Sequence, residues 1–143
     1  RPVAYFTEVR PLRPGDRILV AEACTHHPIG DDIGRVKIPR WLQAKVGGEL
    51  GFEHVQGHDF PADLATYALV IMCGSCMLNR REVLTRMLRC RRAGVPVTNY
   101  GLVIACSLGI LDRALEPFAL AGEGSGRGKT LPEELRPSCP AAT

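Results

Sequence analysis

The apolar positions of this chain fall into four short runs separated by segments with helical spacing. Residues 17–23 (RILVAEA), 52–56 (FEHVQ), 67–72 (YALVIM) and 95–98 (VPVT) predict β-strands. The run at 67–72 is continuously apolar, as expected of a strand covered on both faces by helices. Residues 38–46 (IPRWLQAKV) predict a helix, with Pro39 in the first turn, where its missing N–H costs nothing. Gly47, Gly48 and Gly51 end it. Residues 79–93 predict a second helix. Asn79 caps it, Glu82 completes a capping-box pattern, and Val83, Leu84, Met87 and Leu88 form its core face before Gly94 stops it. A largely apolar helix is expected over 102–115, and a short helical turn from Asp59-Phe60-Pro61 to Leu64.

Strand and helix alternate along the chain. An α/β fold follows: a parallel four-stranded sheet flanked by helices, with right-handed crossovers. A flavodoxin-like strand order, 2-1-3-4, would set the first and third strands side by side. Ligands of such sheets bind beyond the carboxyl ends of the strands. Three regions are expected: a connector at 1–16 leading from a preceding domain, the folded domain at 17–118, and a flexible tail rich in Gly, Ser, Pro and charge at 119–143.

Composition narrows the function classes. With 143 residues and 45% hydrophobic content the chain supports one core. A net charge of +3 is too mild to argue for nucleic acid. No apolar run approaches the roughly 18–20 residues that span a bilayer, and no signal peptide is visible. The six cysteines are therefore expected to be reduced thiols in a cytoplasmic protein.

Three of those cysteines follow strands. Cys24 lies in Glu22-Ala23-Cys24-Thr25-His26-His27, and Cys73 and Cys76 lie in Met72-Cys73-Gly74-Ser75-Cys76. If the two strands are neighbours, all three thiols reach one sheet edge. Such a patch suits a metal or an iron–sulfur cluster, with one position open to exchange. The Gly-Ser spacer is loop chemistry, and Gly74 allows a ligand close to the backbone. His26 or His27 could add a fourth ligand or a supporting donor, or be solvated loop residues. Two further readings remain: a structural zinc site of Cys24, His26, Cys73 and Cys76, and a thiol–disulfide oxidoreductase using Cys73 and Cys76, in which Cys24 has no role.

The remaining signals read as structure. His54 and His58 read as surface residues, Cys90 and Cys106 as core or boundary positions, and Cys139 as a free thiol. The segment 122–130 (GEGSGRGKT) ends like a phosphate loop, but Glu123 stands where the first glycine is required and no strand leads into it. Arg80, Arg81, Arg86, Arg89, Arg91 and Arg92 read as a solvated basic face, with docking of an acidic partner as the alternative. Asp31, Asp32, Gly34 and Arg35 read as a turn, or as a lip that positions the thiols.

The motifs Ala23-Cys24-Thr25-His26-His27, Asp31-Asp32-Ile33-Gly34-Arg35-Val36-Lys37-Ile38-Pro39, Cys73-Gly74-Ser75-Cys76-Met77-Leu78-Asn79-Arg80-Arg81-Glu82 and Gly94-Val95-Pro96-Val97-Thr98-Asn99-Tyr100-Gly101, in that order, resemble the carboxyl-terminal domain of HydF. HydF is the GTPase of FeFe-hydrogenase maturation. The resemblance runs from about Gly15 to about Leu115. It implies that Cys24, Cys73 and Cys76 ligate a 4Fe-4S cluster, with His26 as a candidate fourth ligand. A second family histidine falls on Met72, a departure. It also implies a scaffold or carrier that holds a diiron precursor made by radical-SAM maturases and passes it to apo FeFe-hydrogenase. The full-length family protein is expected to be a homodimer. GTP binding and hydrolysis belong to the family's amino-terminal domain, so these residues are not expected to form an enzyme.

Overall fold

The computed structural model describes residues 12–23, 31–111, 113, 114 and 116. Four strands form one sheet: β1 (Arg17–Glu22), β2 (Gly51–Gln56), β3 (Leu69–Met72) and β4 (Val97–Asn99). Every pairing is parallel and the order is β2-β1-β3-β4, the order the sequence pattern suggests. It is flanked by helices α1 (Ile38–Val46), α2 (Arg80–Arg92) and α3 (Tyr100–Ser107).

The two central strands explain the continuous apolar runs. Their side chains alternate between two cores, so neither face can be polar. Ile18, Val20, Leu69 and Ile71 pack with Ile38, Leu42, Val46 and Val103, beneath α1 and α3. Leu19, Ala21, Val70 and Met72 pack with Met87 and Cys90 of α2 and with Leu64 and Tyr67. Leu12 joins the first core, and Gly15 N–H donates to Glu49 O at 2.7 Å, so the chain is docked on the domain before β1 begins.

Local capping works largely as the sequence implies. Asn79 accepts the Glu82 N–H at 2.9 Å. The reciprocal half of the capping box is replaced, because the Glu82 carboxylate engages His58 and Arg86 instead. His58 therefore has a partner while remaining exposed.

Four expectations are corrected. No helical turn forms over 59–64. This stretch covers the second core as irregular chain, held from α2: Arg86, buried, donates to Gly57 O at 2.7 Å, and Arg89 donates to Pro61 O at 2.7 Å. Both guanidinium groups lie 5.0 Å from the Phe60 ring centroid. Two of the six arginines are thus anchors and not a solvated face. Leu88 is exposed, because Val83, Leu84, Met87 and Cys90 set the buried stripe and Leu88 falls on its flank. The last helix is interrupted, and residues 111, 113, 114 and 116 are helical again beyond the break: Gly109, at φ 71°, donates to Cys106 O, and Ile110 N–H donates to Ala105 O at 2.9 Å. That pair of bonds is a Schellman ending, which needs a left-handed residue at Gly109 and closes α3 at Ser107.

Among the described residues no helix is long and apolar enough to cross a membrane.

Candidate functional site

Register decides what meets at the carboxyl edge of the sheet. Ala21 pairs with Met72, and Met72 with Asn99. One residue further along each strand stand Glu22, Cys73 and Tyr100, which therefore share the next level of the edge. The Cys73-Gly74-Ser75-Cys76 loop leaves β3 there and leads into α2.

The loop is organised around the Cys73 sulfur. Ala23 N–H donates to Cys73 Sγ at 3.0 Å, and Ser75 N–H donates to it at 3.3 Å. Ser75 Oγ also donates to the Cys73 carbonyl at 3.2 Å. Bending the chain back onto the sulfur places Ser75 at φ 56°, the one non-glycine residue with positive φ among those described. That conformation costs about 1–3 kcal/mol and persists only when its surroundings impose it. Gly74 has open space beside it: a Cβ there would meet no atom within 4 Å. Cys76 is exposed at the rim. Two N–H groups aimed at one sulfur fix its position at the end of the sheet.

The first strand's end reaches this loop directly. Ala23, whose N–H holds the Cys73 sulfur, immediately precedes Cys24 in the chain. Cys24, His26 and His27 lie outside the described residues, as do Cys139 and residues 122–130. Among the described residues no group of three or more His, Cys, Asp or Glu side chains is arranged to hold a metal ion. Met72 is 2% exposed and packs in the core under α2.

The Asp31–Arg35 segment has a defined structural role. Asp32 Oδ1 accepts the Gly34 and Arg35 N–H groups at 2.7 and 3.0 Å and starts a π-helical turn, Ile33–Lys37, that runs into α1. Gly34 is there because nothing larger fits: a Cβ would overlap the Tyr100 hydroxyl and lie 2.8 Å from the Glu22 carboxylate. His54, read from sequence as a surface residue, is half-buried and donates through Nε2 to the Gly34 carbonyl at 3.0 Å.

Sequence reasoning missed Glu22 and Tyr100. Glu22 is 9% exposed, and its carboxylate accepts from Tyr100 Oη at 3.3 Å and Arg35 Nη2 at 3.4 Å. Burial, then the Glu22 charge, push the Tyr100 pKa above its ordinary value, so its hydroxyl remains a donor. A carboxylate inside an otherwise apolar strand was the available signal.

Cys90 and Cys106 are buried. Cys90 is fully enclosed, and desolvation pushes its pKa up to about 11. Cys106 is buried as expected, but it is disulfide-bonded and not a free thiol. Cys73, Cys76 and Cys90 are free.

A family model described as the hydrogen maturase F tetramerization domain matches residues 3–117. No curated protein matches the chain.

Proposed function

The chain belongs to the HydF family and is a hydrogenase-maturation domain, and on that premise we propose that it binds a 4Fe-4S cluster through Cys24, Cys73 and Cys76. One observation carries this reading: the Cys73 sulfur accepts the N–H of Ala23, the residue before Cys24, so the end of β1 and the CxxC loop meet at that sulfur. The donor set suits the group. The Cys73 sulfur is held by two backbone N–H groups, Cys76 is exposed, and the space beside Gly74 is open. When bound, such a cluster supplies an iron whose fourth ligand is exchangeable. His26 is the candidate for that position. Met72 is not, because its side chain is committed to the core.

The chain's own residues then bind and orient. Cys73 and Cys76 present sulfur at the rim, the strand ends set their spacing, and Met77, 65% exposed, borders the opening. We assign these residues a scaffold or carrier role for a diiron precursor, received from radical-SAM maturases and delivered to apo FeFe-hydrogenase in the cytoplasm. No catalytic step and no GTP chemistry is assigned to them. The name of the matching family model adds self-association, which we extend to this chain as a proposal to be read by light scattering.

Anaerobic reconstitution with iron and sulfide tests the reading. About four irons per chain and the EPR signal of a reduced 4Fe-4S cluster are expected. Tight zinc with no cluster would move the site to a structural metal role. A colourless protein with neither metal and a reversible Cys73–Cys76 disulfide would make it a redox pair.

A further inference from the structure

A buried carboxylate beside a sulfur site is a costly thing to keep. Removing a carboxylate from water is unfavourable unless partners replace the lost hydration, and an apolar side chain would fill the same place without that cost. Glu22 is gripped from both flanks. Tyr100, the first residue of α3, holds Oε1, and Arg35, from the π-helical turn, holds Oε2. Behind them Gly34 lets the Tyr100 hydroxyl lie against the backbone of that turn. The Glu22 carbonyl is held as well, by Gly57 N–H at 2.8 Å. Three elements remote in sequence thus converge on the last residue of β1.

What this grip controls is the next residue. Ala23 directs its N–H onto Cys73 Sγ at 3.0 Å, and that bond exists only if the chain leaves β1 in one direction. We propose that Tyr100 and Arg35 are positioning residues for the Cys73 sulfur, acting through Glu22 to hold the end of β1 so that the Ala23 N–H stays on that sulfur. The importance of Cys73 as a ligand rests on the function proposed above; the positioning itself is a property of the protein without metal.

The test therefore has two arms. In reduced, metal-free protein, amide exchange is followed at Ala23 and, as a reference in the core of the sheet, at Ile71. Tyr100→Phe and Glu22→Gln are expected to lower the protection of Ala23 relative to Ile71 about tenfold, and Arg35→Lys, which keeps the charge, to retain it. Arg92→Ala, on the exposed end of α2, should leave the ratio unchanged. In reconstituted protein, Tyr100→Phe should release iron to a chelator about tenfold faster than wild type, again with Arg92→Ala unchanged. An Ala23 ratio within twofold of wild type in both Tyr100→Phe and Glu22→Gln would overturn the proposal. So would an equal change in Arg92→Ala, which would show that the ratio does not report on the Glu22 grip. If the wild type takes up no iron, the cluster reading fails, while Ala23 protection still decides the positioning.

Discussion

Arg86→Ala is the sharpest test of how the irregular chain between β2 and β3 is held. The residue is 3% exposed in a helix that sequence alone reads as a solvated basic face. Its guanidinium donates to Gly57 O at 2.7 Å, approaches Glu82 Oε1 at 3.4 Å and stacks over Phe60. A hydrogen bond from a charged donor contributes about 1.5–3 kcal/mol, and its loss leaves the carbonyl unpartnered. The ring contact adds about 0.5–1 kcal/mol. The Glu82 pair adds less than about 1 kcal/mol, given its partly exposed partner. Because neighbouring contacts are not additive, the expected loss is about 2–4 kcal/mol. With a urea slope of about 1–3 kcal/mol per molar for a domain of this size, the unfolding midpoint should fall by roughly 1–2 M. Arg80→Ala, on the exposed start of the same helix, should stay within about 0.5 kcal/mol of wild type. Urea unfolding followed by circular dichroism compares the three proteins. Equal midpoints for the two variants would refute the anchoring role and return α2 to a uniformly solvated face.

Cys24→Ala, Cys73→Ala and Cys76→Ala should each lose stable cluster binding, counted as iron per chain, while Cys90→Ala should not; normal iron uptake by the Cys24 variant would rule out convergence of the two loops. The Cys90 thiol is raised to about 11 by burial, so the folded state favours its neutral form. The unfolded thiol ionises first as pH rises. The stability from this group is thus fully present below the ordinary thiol range and is lost as pH climbs through about 11. Wild type should therefore lose more stability than Cys90→Ala across that alkaline window, measured by urea midpoints, and parallel curves would contradict the burial argument. Asn79→Ala should cost about 1 kcal/mol through loss of the helix cap. Gly34→Ala should destabilise by about 1–3 kcal/mol, since its methyl would collide with Tyr100 and Glu22; an unchanged melting midpoint would show that the edge is slack.

Much of the architecture was determined by the sequence acting locally. The bounds of α1 coincide with the periodic stretch at 38–46, and α2 begins at its Asn79 cap, because periodicity, caps and stop residues act within a few positions. The buried strands β1 and β3 were legible for a similar reason: a run with no polar interruption is stable only between two covered faces. From these followed the parallel sheet and the placement of the CxxC loop at a strand end. Other features depended on partners that only folding brings together. Glu22 and Tyr100 stand 78 residues apart, and register alone brings them to one level of the sheet edge. Arg86 reads as surface until Gly57 and Phe60 come over it, and Gly34 reads as a turn glycine until Tyr100 lies against it. Apolar pattern reports which way a side chain must face. It carries no information about which distant polar group will meet a buried charge, and only tertiary packing decided that.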